Sequence, residues 1–295
     1  MKTLCRISIL FLLQSCAAQT SPSLQHKADN KSLLWEISGN HLKKNSYVFG
    51  TFHLMCKSDI HFSEQLKQAI QAADKVYFEL DLDDASNTLG AIFFMNMRKD
   101  TALKDLYSPA DYEKLTRFFS DSVNMSMLLL NRMKPALLEA LIYPKMMACK
   151  NMSGIETELL TLAKIYKKEI LGFETAAFQA SVFDSIPYKQ QAEDLLKTID
   201  SFQKYRVYFN RMLKLYKEQD ITQMEDLFSN PDFGLQENQD ILLDKRNENW
   251  TAHLKEILPQ HSLFIAVGAG HLIGEKGLIN LLRKQGYILK PLLNK

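Results

Sequence analysis

Ser46-Tyr47-Val48-Phe49-Gly50-Thr51-Phe52-His53 and Leu263-Phe264-Ile265-Ala266-Val267-Gly268-Ala269-Gly270-His271 share one pattern: an apolar run, a glycine, and a histidine three residues on. Short apolar runs closed by glycine read as buried strands. A chain of 295 residues with 11 Gly and 7 His holds roughly 0.3 Gly-x-x-His spacings by chance. Here there are two, each directly after a strand. In an open α/β sheet, ligands sit beyond the carboxyl ends of strands. A glycine there lets the backbone turn and come close to a ligand. On this reading His53 and His271 enter one crevice, where two imidazoles can share a divalent ion. Either histidine taken alone reads as a cap or as a partner for a backbone carbonyl.

Lys75-Val76-Tyr77-Phe78-Glu79-Leu80-Asp81 is a third strand. Its period of two places Glu79 and Asp81 on one face and Val76, Phe78 and Leu80 on the other. Glu79 lies near the carboxyl end, where a carboxylate can ligate the ion or act as general base on a metal-bound water of lowered pKa. The chain has no H-E-x-x-H, no G-x-S-x-G and no Walker A loop, so zincin, α/β-hydrolase and P-loop readings lack support.

Outward from these strands, Leu33 to Ser38 alternates and Gly39-Asn40 suits a turn into Ser46–Phe49, which predicts a hairpin. Ser63 caps a helix from Glu64 to Ala73. Residues 85–258 read as mostly helical, with a start at Ser108-Pro109, amphipathic runs over 155–168, 188–217 and 239–258, and a short buried strand at 169–173. Methionines crowd 95–152, as core filler or as an adaptable groove. After His271, a helix over 274–285 and a strand over 286–289 complete the βαβ grammar of a parallel or mixed sheet.

Residues 1–18 read as a secretory leader: Lys2 and Arg6, the apolar run Ile7–Leu13, then Ser15-Cys16-Ala17-Ala18. Leu13-Gln14-Ser15-Cys16 resembles a relaxed lipobox with Cys16 as the lipid-bearing residue; cleavage after Ala18 and an uncleaved terminus are the alternatives. Residues 19–31 are then a tether, and 32–295 one domain with the helical insertion inside it. The reading expects an exported protein, periplasmic or at the cell surface, held to the membrane by its lipid. Two of the 36 Lys and Arg lie in the leader, so the remaining 34 match 34 Asp and Glu, and a basic footprint for nucleic acid is absent. Setting Cys5 and Cys16 aside leaves Cys56 and Cys149, either bridged or separately buried.

Three stretches resemble the TraB/GumN family, which includes the Tiki proteins: residues 47–54, 76–81, and 267–272 with Gly277-Leu278. Residues 170–175 and 245–247 match more weakly, and the order holds from Leu33 to Pro291. The resemblance implies an α/β (α+β) fold with a central mixed sheet, flanking helices and a large helical insertion, related to erythromycin esterase and ChaN-like proteins. It implies a metal-dependent hydrolase of peptide bonds with a peptide or protein substrate, as in the membrane-tethered Tiki proteases. By resemblance His53, Glu79 and His271 form the metal and catalytic set, with Mn or Co as the ion and Zn or Fe as alternatives. Arg246 joins the catalytic group, holding a substrate carboxylate or an oxyanion. Gly50, Gly268, Gly270 and Glu174 would line the site. The ChaN-like relatives imply the rival, a non-catalytic iron- or haem-binding lipoprotein.

Overall fold

The computed structural model describes residues 31–84, 94–230 and 236–294. Residues 1–30, where the leader, Cys16 and the tether are expected, and residues 85–93 at the start of the expected insertion lie outside the described residues. The strands are β1 (Leu34–Gly39), β2 (Ser46–Thr51), β3 (Met55–Cys56), β4 (Lys75–Leu80), β5 (Met152–Ser153), β6 (Glu169–Glu174), β7 (Leu263–Gly268) and β8 (Tyr287–Leu292). The longer helices are α1 (Glu64–Ala72), α2 (Pro109–Phe118), α3 (Pro135–Ala140), α4 (Ile155–Ile165), α5 (Ala176–Asp184), α6 (Tyr188–Asp200), α7 (Phe202–Lys217), α8 (Ile221–Phe228), α9 (Lys245–Ile257) and α10 (Leu278–Lys284). The architecture is mixed α/β.

Six strands form one mixed sheet in the order β6-β4-β7-β2-β1-β8. β6, β4, β7 and β2 run parallel, whereas β1 pairs antiparallel with both β2 and β8. Helices cover the parallel strands on both faces, so they read as nearly unbroken apolar runs: Leu263 to Val267 are all buried. The same cover corrects the two-faced reading of β4, where Val76, Tyr77 and Phe78 are buried in succession. The last strand, β8, closes the sheet at its edge. It pairs antiparallel with β1, and because β1 is antiparallel to β2 as well, β8 runs in the same direction as β2 and β7, as the βαβ grammar expects. Pro291 is tolerated there because an edge strand has one side free of the ladder.

Local chemistry sets the other boundaries. The β1–β2 hairpin turns through Gly39, Asn40 and His41, at φ 77°, 46° and 61°. Ser63 and Ser108 each accept a backbone N–H at a helix start, and Pro109 occupies the first turn of α2. The helix expected from Gly274 begins only at Leu278, because Gly274 sits at φ 88°.

One core joins the sheet to α1, α4 and α7–α10; a second, among α2, α3, α6 and the middle of α7, gathers Leu115, Phe119, Leu138, Leu195 and Phe209. Met97, Met127 and Met146 are buried in that second core, which makes them core filler. Lys134 anchors the insertion from inside. Its side chain is 1% exposed, and its Nζ lies 2.9 Å from Asp184 Oδ1 and donates to Ala180 O at 2.8 Å. This pair ties the start of α3 to α5, the helix that carries Gln179 to the site.

Candidate functional site

The parallel register decides where the chemistry collects. Thr51 pairs with Gly268, Phe78 with Ala266 and Leu80 with Glu174, so β2, β7, β4 and β6 end at one edge of the sheet. His53 follows β2, Glu79 is near the end of β4, Glu174 ends β6, and His271 follows β7. Adjacent strands lie about 4.8 Å apart, so four residues distant in sequence become neighbours. A cleft of about 300 Å³ opens here, lined by His53, Glu79, Leu82, Glu156, Thr157 and Gln179 among others.

Glu79 is held on both oxygens. Gly268 N–H donates to Oε1 at 2.9 Å; Arg246 and Gln179 donate to Oε2 at 2.6 and 3.3 Å. Burial opposes ionisation, but His271, Arg246, His53 and the Gly268 N–H overcome it and hold the carboxyl at about 2. The guanidinium of Arg246 is also shared with Glu174, by Nε at 2.9 Å and Nη2 at 2.7 Å, and stacks 4.8 Å from the Trp250 ring. Trp250 packs on Phe173 and donates its indole N–H to Glu174. Glu174 lies behind the guanidinium at 4% exposure, so it positions Arg246 and does not line the cleft.

His271 is fixed by Asn247. The Asn247 amide nitrogen donates to Lys276 O, so its oxygen faces His271 Nδ1 at 2.7 Å and Nδ1 carries the proton. Nε2 is left as an acceptor, 3.1 Å from Arg246 Nη1 and 3.7 Å from Glu79 Oε1. Burial pushes His271 down to about 3, with Arg246 and His53 adding to the effect against Glu79. It is neutral at pH 7.

His53 is the opposite case. Its side chain is 78% exposed to the cleft, and its Nδ1 lies 2.7 Å from Glu156 Oε1. The Glu156 hydrogen bond and charge raise it to about 9. Thr51 donates to the same Glu156 oxygen at 2.5 Å. Glu156 was not legible as a site residue, and neither were Thr51, Gln179 and Asn247. A small clamp brings Glu156 to His53: β3 pairs with β5, Ile155 N–H donates to Phe52 O at 3.1 Å, and Cys56 is bridged to Cys149, Sγ–Sγ 2.13 Å. A Cβ on Gly154 would stand 2.7 Å from His53 O, so this close approach requires glycine.

The other named glycines divide. Gly268 is the floor of the site, where a Cβ would stand 3.3 Å from Glu79 Oε1 and 4.0 Å from His53 Nε2. Gly50 and Gly270 are corrected from site-lining to packing. A Cβ on Gly50 would meet Leu272 at 2.8 Å, and one on Gly270 would face Phe228 and Leu243.

The donor set does not fit a divalent ion as it stands. Among the described residues no three His, Cys, Asp or Glu side chains form a metal-holding group. The reason is Arg246, which takes Glu79 Oε2 and faces His271 Nε2, leaving His53 Nε2 as the one open donor of the three expected ligands.

The TraB/PrgY/gumN family matches residues 33–291. The chain belongs to that family. It is also 20% identical over 301 aligned positions to an uncharacterized protein of Treponema pallidum (strain Nichols), covering 96% of this chain and 90% of the relative. No solved structure matches it. Among the described residues of this TraB-family chain, no helix is long and apolar enough to cross a membrane.

The charge states give a pH profile with two limbs. His271 is depressed to about 3 in the fold and titrates near 6.5 when unfolded. Between those values the unfolded chain takes up a proton that the folded chain refuses. Stability therefore falls as pH drops from about 6.5 to 3, by about 1.4 kcal/mol per pH unit where this group dominates. Glu79 adds loss below about 4.3, its unfolded value, as pH nears its folded value of about 2. His53, raised to about 9, stabilises fully below about 6.5, and its contribution is lost as pH rises through 9. That alkaline limb is shallow, because the ring is open to solvent. Urea midpoints measured from pH 4 to 10 are expected to show a steep acid limb, and His271→Gln to flatten it.

Proposed function

We propose that the chain is a hydrolase of peptide bonds working outside the cytoplasm, held to the membrane by a lipid on Cys16. The observation that carries the reading is the pairing of a cationic imidazole, His53, with an anionic carboxylate, Glu79, in the wall of one cleft at the carboxyl edge of the sheet, with the Arg246 guanidinium bound to that carboxylate. The peptide substrate and the export come from the family resemblance and the leader pattern.

His53, protonated at neutral pH, offers Nε2–H to the cleft, while Glu79 is an anion across from it. Glu79 takes a proton from a water whose oxygen bonds to the carbonyl carbon. Arg246 balances the charge that develops on the carbonyl oxygen. His53 gives its Nε2 proton to the leaving nitrogen as the C–N bond breaks, and the proton on Glu79 then restores His53. Gly268 N–H is bound to Glu79 and is not free for the oxyanion. A substrate oxygen that draws Arg246 off Glu79 also raises the carboxylate toward a useful base.

One observation favours the metal-dependent form of this reading. Both imidazoles are tied through Nδ1, to Glu156 and to Asn247, which is how metal-bound histidines are oriented. In that form His53, Glu79 and His271 would hold the ion once Arg246 had left Glu79, and the ion would supply a water of lowered pKa. The test is a peptide-library digest by the purified full chain, with and without chelator, beside elemental analysis. Cleavage that survives chelation supports the residue-only site. Cleavage restored by Mn²⁺ or Co²⁺, with about one ion per chain, supports the metal form. No cleavage under either condition overturns the hydrolase. A Soret band in the same sample would instead mark the haem-binding alternative.

A further inference from the structure

Helix α7 has a face the site does not use. Its 16 residues include Lys204, Arg206, Arg211, Lys214 and Lys217 and no Asp or Glu. Phe209, Met212, Leu215 and Tyr216 are buried. On the other side Arg206, Val207, Arg211, Lys214 and Lys217 fall within an arc of about 140° at 100° per residue. Arg206 and Arg211 are exposed and make no ion pair among the described residues, and Val207 is 67% exposed between them. Lys214 and Lys217 keep only solvent-facing partners, Glu218 at 3.8 Å and Asp59 at 3.0 Å. Exposed Lys145 adjoins this face, since Asn210 donates to the carbonyl of the next residue, Met146, at 3.1 Å.

The geometry points to a docking face for an anionic phospholipid bilayer. An exposed basic stripe with an apolar residue at its centre fits a headgroup layer that attracts Lys and Arg and admits a small apolar side chain. Outside α7 the chain has no cationic excess, since 31 Lys and Arg face 34 Asp and Glu there, so the positive charge is local to this helix. The place where the chain leaves the described structure agrees. Lys31 Nζ lies 3.0 Å from Asp220 Oδ2, three residues past the end of α7. Beyond it lie the tether, Cys16 and the apolar run Ile7–Leu13. From Cys16 the 15 residues to Lys31 reach up to about 50 Å, twice the length of α7 at about 24 Å. A lipid on Cys16 would keep the face within reach of the bilayer; in that respect the inference rests on the anchor proposed above. The inner side of α7 packs on Phe52, the residue before His53, through Phe209 at 6.1 Å and Tyr216 at 5.1 Å. Docking therefore sets the cleft close to the membrane plane.

The test uses the full chain with Cys16→Ser, which removes the lipid but keeps the leader. Co-sedimentation is measured with phosphatidylcholine vesicles and with vesicles that also contain phosphatidylglycerol. Binding is expected to favour the anionic vesicles and to fall steeply with salt. Arg206→Gln/Arg211→Gln/Lys214→Gln is expected to weaken anionic binding by about 100-fold, at about fivefold per charge. Its binding to phosphatidylcholine is expected to be unchanged, because the leader supplies that part. Unchanged anionic binding in the triple variant overturns the inference, as does equal wild-type binding to both vesicles. Duplex DNA binding as tight as the vesicles does so too. Salt-insensitive binding by the wild type overturns it without any variant. Mass analysis of Cys16 in the unmodified chain tests the anchor separately.

Discussion

Glu79→Gln is expected to lower kcat/KM for peptide hydrolysis by about 10³-fold, within the 10²–10⁴-fold range of general acid–base catalysis. The substitution keeps the side chain's shape. The amide oxygen still accepts from either Arg246 or Gly268 N–H, and the amide nitrogen gives up the other hydrogen bond. What is lost is the proton acceptor and the charge that faces His53. Glu174→Gln is the control, because it removes an equal charge from the same guanidinium. Glu174 is 4% exposed behind Arg246 and bonds to Trp250, with no opening to the cleft. Its loss is expected to change thermal stability and to cost at most about tenfold in rate, the effect of a less firmly held Arg246. Steady-state kinetics and thermal melts of both variants decide the matter. Equal rate losses would mean that Glu79 acts only as a structural partner of Arg246, and the proposed base would fall.

Much of this site was legible because parallel strands impose a rule. Once Leu263–Val267 and Ser46–Phe49 are read as buried strands, their following histidines must emerge at one edge, and a third strand delivers Glu79 to it. For Cys56 and Cys149 the sequence left bridging and separate burial open, and the structure bridges them. Glu156 was not legible. It sits in the first turn of α4, where a Glu is ordinary helix chemistry. Its role comes from the two-residue strands β3 and β5, too short to leave a periodic signal. Gly50 and Gly270 show the converse. A glycine beside a motif invites a ligand reading, but at these positions the missing Cβ makes room for Leu272, or faces Phe228 and Leu243. The place of β8 beside β1, separated from β7 by two strands, depends on pairing far away in sequence, and no local pattern carries that.

Arg246 is where the metal expectation and the structure part, and its removal has the largest effect on the fold. Arg246→Met keeps the length and apolar stem but takes away the cation between Glu79 and Glu174, which are 15% and 4% exposed. Two buried carboxylates then face each other with only Gln179, Gly268 N–H and Trp250 as donors. Leaving a buried charge without its partner costs about 3–5 kcal/mol. The chain has one way to relieve this, which is to protonate one of the two. Glu79 is therefore expected to rise from about 2 into or above the ordinary carboxylate range of about 4.3, and the variant to regain stability as pH falls toward 5. The wild type moves in the opposite direction, losing stability over that interval through His271. Adding Glu174→Gln to Arg246→Met removes the repulsion and is expected to recover much of the loss at pH 7. Denaturant midpoints of the single and double variants at pH 5 and 7 test each step. The single variant also exposes Glu79 Oε2 and His271 Nε2 together, the two donors that Arg246 covers. If Mn²⁺ raises the melting temperature of Arg246→Met but not of its His53→Ala derivative, the three residues can form a metal set whose assembly the guanidinium controls. If Mn²⁺ moves neither, the convergence is built for Arg246 itself.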